Sequence, residues 1–148
     1  MDRGTAALLT AFVGTLIAFQ APLNGGLGKA IGSAQATFVS FLTGTVLLLV
    51  VSVFARGGLG RISDVGEVGA WYYLTGGLLG AAYVGTALVT VATLGAGGVT
   101  AATIAGQLTA SMVVDHYGWF GVEPSRITVV KLAGVALLAA GTYLIVRD

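Results

Sequence analysis

The sequence predicts an all-α integral membrane protein with five transmembrane helices, and three observations support that prediction. Of the 148 residues, 56% are hydrophobic and only 9% are charged, against about 25% charged residues in soluble domains. Five apolar segments recur along the chain, each near the ~20 residues that a helix needs to cross a bilayer. The 24 glycines are roughly double the usual share of about 7%, which is typical of closely packed membrane helices.

The five predicted helices follow one another with short connections. They cover residues 4–21, 35–55, 70–94, 98–114 and 127–146. Only Gly95, Ala96 and Gly97 separate the third helix from the fourth, so we expect these two helices to form a tight antiparallel hairpin. The chain is expected to be a single five-helix transmembrane domain over residues 1–148.

Composition excludes several kinds of chemistry. The chain has no cysteine and one histidine, so we expect no disulfide, no thiol catalysis and no metal site of the usual zinc type. The net charge of +1 gives no sign of a nucleic-acid partner. Asp115 and His116 are adjacent and about 100° apart around a helix, so they cannot face each other as a catalytic dyad. We therefore predict neither an enzyme nor a bound cofactor.

Charge asymmetry predicts the orientation in the membrane. With five helices the two termini lie on opposite sides, and cytoplasmic loops carry the excess of Lys and Arg. The basic residues on the side of the N-terminus are Arg3, Arg56, Arg61, Arg126 and Lys131, and those on the other side are Lys29 and Arg147. This bias favours a cytoplasmic N-terminus and leaves open that some molecules insert the other way.

The stretch from Gln20 to Gly26 interrupts the first apolar segment. Proline donates no backbone N–H, and its ring clashes one turn back, so Pro22 is expected to break the helix there. Pro22 lies 18 residues after Gly4, about 27 Å along a helix and near the far boundary of a ~30 Å core. We predict that Gln20 and Asn24 line a cavity mouth and that Pro22, Gly25 and Gly26 act as a hinge; a plain helix end is the alternative.

Gln107 is the polar residue predicted to lie deepest in the membrane. It is near the middle of the fourth helix, on a stripe with Ser111 at a step of four. An amide facing lipid would lose its hydrogen bonds at a cost of a few kcal/mol, so Gln107 must face another helix or a cavity. An interhelical hydrogen bond and a substrate contact both remain open. With Tyr83 and Thr43, which are central in the third and second helices, these residues form the predicted midplane site.

Asp115 and His116 lie at the end of the fourth helix, on the side of the N-terminus. An aspartate at a helix C-terminus opposes the helix dipole, so we expect a cationic neighbour, with Arg126 or Lys131 as candidates. The pair could be a structural anchor or a protonatable gate. The central parts of the helices carry no Asp, Glu, Lys or Arg, which argues against proton coupling through a membrane carboxylate.

Two motifs resemble those of a known family. One is Gln20-Ala-Pro-Leu-Asn24 followed by Leu27-Gly28, and the other comprises Ala105-Gly-Gln-Leu108, Ser111 and Asp115-His-Tyr-Gly-Trp-Phe-Gly121. Residues 41–45 and 76–83 fit as well. The chain resembles the YdcZ family, small five-helix members of the drug/metabolite transporter superfamily, over essentially its whole length.

The resemblance implies half of an inverted-repeat transporter. Larger relatives look like two such units fused in opposite orientations, and single units are thought to pair as antiparallel homodimers, with dual topology, or as heterodimers. The chain departs from the small multidrug-resistance relatives, which carry a glutamate inside the first helix. Here that helix has only Thr10, Thr15 and Gln20, so their proton-coupled mechanism is not transferred.

Together these features predict a subunit of a dimeric small-molecule transporter, an exporter of the bacterial inner membrane. Alternating access would arise from rocking one subunit against the other around the midplane site. The expected cargo is a small neutral or weakly cationic amphipathic molecule, because no fixed charge lies deep in the helices. Besides the cargo, membrane lipid is the expected partner. The alternative is a lipid-binding or scaffold protein without a transport cycle.

Overall fold

The computed structural model describes residues 2–55 and 58–147, and this part of the chain is almost entirely helical. The helices are α1 (Arg3–Ile31), α2 (Ser33–Phe54), α3 (Ala70–Tyr117) and α4 (Val129–Val146), with 3₁₀ helices at Gly58–Glu67 and Trp119–Gly121. All four α-helices are long and apolar enough to cross a membrane. The predicted all-α membrane architecture is confirmed. Arg56, which contributes to the predicted charge asymmetry, lies outside the described residues.

Helix α3 consists of two helices joined at one glycine. Its 48 residues would extend about 72 Å as a single helix, more than twice the ~30 Å hydrocarbon core. Gly95 has φ 66° and ψ 171°, a conformation outside the helical region that suits a residue without a Cβ. It separates an arm of residues 70–94 from an arm of residues 96–117, so the described residues contain five long helices. The break follows Leu94 as predicted; the antiparallel arrangement stays a prediction.

Helix α1 corrects the predicted helix end near Ala21. It continues without a break through Pro22 to Ile31, and the chain leaves the helix only at Gly32, where φ is 92°. A membrane helix tolerates the backbone hydrogen bond lost at a proline when neighbouring helices or side chains provide another partner for the freed carbonyl group. The residues after Pro22 also pack tightly, which holds this part of the chain helical against the local preference.

That packing depends on two glycines. A Cβ built on Gly25 would lie 2.7 Å from Cγ1 of Val91, and one on Gly28 would lie 2.7 Å from Cδ2 of Leu88. Both distances are well below van der Waals contact, so α1 approaches the 70–94 arm more closely than any larger residue allows. Small residues serve this purpose in membrane helix interfaces. The predicted hinge residue Gly25 therefore has a packing role, whereas a Cβ on Gly26 would meet no atom of the described residues within 4 Å.

The chain divides into two compact units. The first unit comprises residues 20–92, and the second comprises residues 1–19 and 93–148. The first buries Ala36, Val84 and Leu88, and the second buries Val99 and Met112. The expectation of a single domain over residues 1–148 stays a prediction.

Candidate functional site

The first unit contains a small cavity with polar walls, which we call the Gln20 cavity. Its volume is about 230 Å³. Its lining combines one amide and two hydroxyl side chains with apolar groups: Gln20, Ser40, Phe41, Gly44, Thr45, Leu48 and Val84. Mainly apolar walls with a few polar groups are the usual composition of small-molecule sites.

The Gln20 cavity lies near the middle of the helices that line it. Gln20 is three residues from Ile17, the centre of the 29-residue helix α1, so it is about 4.5 Å from that centre along the axis. Thr45 is about 2 Å and Ser40 about 5 Å from the centre of α2. The predicted position of Gln20 at a cavity mouth rested on the helix end near Ala21. In the continuous α1, Gln20 lies near the middle of its helix, and its position at a cavity mouth stays a prediction.

A hydrogen bond connects the cavity to the next amide of α1. The Ser40 hydroxyl donates to Oδ1 of Asn24 at 2.6 Å, and both residues are half-buried. This bond satisfies the Asn24 carbonyl within the protein, where an unpaired polar group would be costly. Gln20 lines the cavity, and Asn24, one helical turn further along α1, is linked to it through Ser40.

Ser40 and Thr45 were missed by the sequence analysis. The available signal was the spacing on α2: Ser40 and Gly44 are one helical turn apart, and Thr45 follows directly. The predicted site residue of this helix is Thr43, which lies near its centre together with Gly44 and Thr45. In the structure Thr43 is exposed and donates its hydroxyl to the Val39 carbonyl at 2.9 Å, and neither Thr43 nor Tyr83 is among the residues that line the Gln20 cavity.

The second unit contains a larger cavity, which we call the Gln107 cavity. Its volume is about 540 Å³, and it is lined by Gln107, Ala110, Ser111, Val114, Asp115 and Val122. Gln107 is at the middle of the 96–117 arm, and Asp115 is about 12 Å further along. The structure therefore joins the predicted site residues Gln107 and Ser111 with the predicted gate residue Asp115 along one helix face.

The environment of Asp115 differs from the prediction in one respect. Among the described residues, no Lys or Arg forms an ion pair with its carboxylate. Instead the backbone N–H of Ser125 donates to the Asp115 carbonyl at 2.8 Å, and Lys131 Nζ donates to the Ser125 hydroxyl at 2.8 Å. The main chain of Asp115 thus anchors the loop, and Asp115 is the charged residue among those that line the Gln107 cavity.

The loop after α3 folds back onto the end of that helix. Gly118 takes a left-handed conformation with φ 65°, and a Cβ there would lie 2.8 Å from Cγ of Pro124. Only glycine fits both constraints. The fold-back places Val122 in the wall of the Gln107 cavity. The His116 ring makes an edge-to-face contact with Tyr117, at a centroid distance of 4.9 Å.

In residues 2–55 and 58–147, no three His, Asp or Glu side chains lie close enough together to hold a metal ion. The residues that line the cavities offer hydrogen bonding in the Gln20 cavity, and hydrogen bonding and an acidic residue in the Gln107 cavity. Both suit recognition of a small polar or amphipathic molecule.

Apolar helices of membrane-spanning length define an α-helical multi-pass membrane protein. A family model described as "Putative inner membrane exporter, YdcZ" matches residues 5–144. The chain belongs to this family, and the resemblance seen in its motifs is confirmed. Searches of curated proteins and of solved structures gave no match.

Proposed function

We propose that the chain is one subunit of a dimeric exporter that carries a small molecule across the inner membrane by alternating access. The observation that carries this proposal is the Gln20 cavity, in which Gln20, Ser40 and Thr45 lie near the middle of membrane-spanning helices. Transporters commonly place their substrate sites at the bilayer midplane. Polar side chains at that depth are costly unless they are paired or functional.

The size of the Gln20 cavity supports a dimer. At about 230 Å³ it is smaller than the ~300–1,000 Å³ of typical ligand sites, so a second subunit would complete it. An antiparallel partner, either another copy of this chain or a related five-helix subunit, would reproduce the inverted repeats of larger transporters. We assign no catalytic step to the protein.

The position of Asp115 refines the proposed cargo. The central parts of the helices lack charge, but Asp115 lines the Gln107 cavity, which extends from the middle of the 96–117 arm towards its end. A weakly cationic amphipathic molecule suits this arrangement better than a neutral one, because the carboxylate attracts a cation where water is scarce.

Replacing Asp115 by asparagine is expected to slow the transport of a cation without destabilising the fold. The loop is held by the backbone carbonyl of Asp115, which an asparagine at this position also has. The free energy of unfolding should therefore change by no more than about 0.5 kcal/mol. Release of ethidium, an aromatic cation, from proteoliposomes should slow several-fold, whereas release of a neutral dye of similar size should not. If the variant released ethidium as fast as the parent does, a role for this carboxylate would be contradicted.

Transport itself can be tested with the same proteoliposomes. The parent chain should release neutral or cationic amphipathic dyes faster than protein-free liposomes do, and the rate should saturate with dye concentration. If no member of such a panel is released faster, the exporter proposal fails.

The orientation is proposed from charge alone and needs its own measurement. Because the chain has no cysteine, a cysteine introduced at Ser63 can be labelled with a membrane-impermeant reagent in intact cells and in inverted vesicles. A cytoplasmic N-terminus predicts labelling only in inverted vesicles. Labelling in both preparations would indicate dual topology and hence an antiparallel homodimer.

One observation favours the second candidate, a lipid-binding protein without a transport cycle. The second unit has another cavity, of about 410 Å³, with walls that are almost entirely apolar: Leu94, Ala102, Ala105, Ala139, Thr142, Tyr143, Val146 and Arg147. An acyl chain fits such walls, with Arg147 near a headgroup. Co-purified lipid that blocks dye release would support this candidate; dye release that is independent of bound lipid would support the exporter.

A further inference from the structure

The connection between α2 and α3 has a regular apolar face, although it lies outside the predicted transmembrane helices. Residues Gly58–Glu67 form a 3₁₀ helix, in which side chains three residues apart lie directly above one another. The hydrogen-bond pattern extends one step further, since the N–H of Val68 donates to the Val65 carbonyl at 3.3 Å.

The sequence matches this period of three in every register. The apolar register contains Leu59, Ile62, Val65 and Val68, the charged register contains Arg61, Asp64 and Glu67, and the third contains Gly60, Ser63 and Gly66. One edge of the helix is therefore wholly apolar, and a neighbouring edge carries all three of its charged residues. Such segregation is the mark of a helix that lies at a boundary between an apolar and an aqueous phase.

The protein itself leaves the apolar edge open. The exposed fractions are 40% for Leu59, 59% for Ile62, 43% for Val65 and 49% for Val68. At its N-terminal end the helix follows closely on the membrane-spanning α2, and it packs against that helix. At its C-terminal end it precedes the aromatic residues Trp71 and Tyr72, whose rings stack at 3.9 Å and which are typical of the membrane–water interface.

We propose that the 58–67 helix lies in the lipid interface, with Leu59, Ile62, Val65 and Val68 inserted among acyl chains. Spans on both sides hold the helix near the bilayer surface, where its open apolar edge can reach the acyl chains. The charged register then faces headgroups and water, where Arg61 and Asp64 keep their hydration. This inference concerns a membrane contact and does not depend on the transport proposal.

Single spin labels can test this placement, because the chain has no native cysteine. Ile62→Cys and Val65→Cys place a nitroxide on the apolar register, and Ser63→Cys and Asp64→Cys are matched controls on the other two. In liposomes, collision with oxygen and with a water-soluble nickel complex reports depth. We expect labels at 62 and 65 to favour oxygen at least threefold more than labels at 63 and 64.

Two results would overturn the proposal. Equal nickel accessibility at all four positions would place the whole helix in water. Labels at 62 and 65 that are shielded from both oxygen and nickel would show that protein, such as a second copy of the chain, covers this edge. Leu59→Cys provides an independent apolar position if either variant fails to fold.

Discussion

Replacing Gly28 by leucine is expected to destabilise the protein by about 1–3 kcal/mol, the usual cost of forcing extra volume into a packed contact. Even a single Cβ at this position would come within 2.7 Å of Leu88 Cδ2. Leu88 is only 4% exposed, so it has little room to move. The loss should appear as a lower midpoint temperature of unfolding in detergent. Size-exclusion chromatography of samples heated to different temperatures measures that midpoint.

Gly26 provides a matched control for Gly28 on the same helix. A Cβ there meets no atom of the described chain within 4 Å, so Gly26→Leu should keep or raise stability, by up to about 1 kcal/mol from helix propensity. A second substitution, Leu88→Ala, should recover part of the loss in Gly28→Leu, because the two side chains compete for one space. Equal losses at positions 26 and 28 would contradict the packing described for α1.

Replacing Gln20 by leucine is expected to reduce transport about tenfold or more. The substitution retains an apolar side chain of similar size but removes the amide from the Gln20 cavity. A tenfold effect corresponds to about 1.4 kcal/mol, within the range for one or two lost hydrogen bonds. The rate of dye release from proteoliposomes gives the effect directly, and the unfolding midpoint in detergent shows whether the variant is still folded.

Two threonines on α2 allow a sharper comparison. Thr45 lines the Gln20 cavity and Thr43 does not; the Thr43 hydroxyl donates to the Val39 carbonyl of its own helix. Valine is nearly isosteric with threonine but lacks the hydroxyl group. Thr45→Val should therefore slow dye release about two- to tenfold, which corresponds to the free energy of one hydrogen bond. Thr43→Val should leave the rate of dye release unchanged. The reverse pattern would favour the site predicted from the sequence over the one seen in the structure.

Helices and their breaks were largely predictable from the sequence. Membrane helices need long apolar segments, and glycines at 95 and 118 mark positions where the chain leaves the helical conformation with positive φ. The predicted end near Ala21 was wrong because a local preference of Pro22 was overridden by packing of Gly25 and Gly28 against α3. Such packing depends on residues 60 or more positions away, which no local pattern reveals.

The candidate site was predictable only in part. Gln107 and Ser111 do lie together, because they share one helix face at a step of four. The position of Gln20 near the middle of its helix depends on the full length of α1. Ser40 lines the same cavity and donates to Asn24 of the neighbouring helix, and both contacts arise only in the folded protein. The apolar register of residues 59–68 was hidden because a period of three is not that of an α-helix.

The most direct test of the central claim is the reactivity of a cysteine in the Gln20 cavity. If the cavity is a water-accessible transport site, Thr45→Cys should react with a small water-soluble thiol reagent from either face of the membrane, at least tenfold faster than Thr43→Cys. Added cargo should slow that reaction. Equal reactivity at the two positions, or access to Thr45→Cys from neither face, would contradict an alternating-access site at this depth.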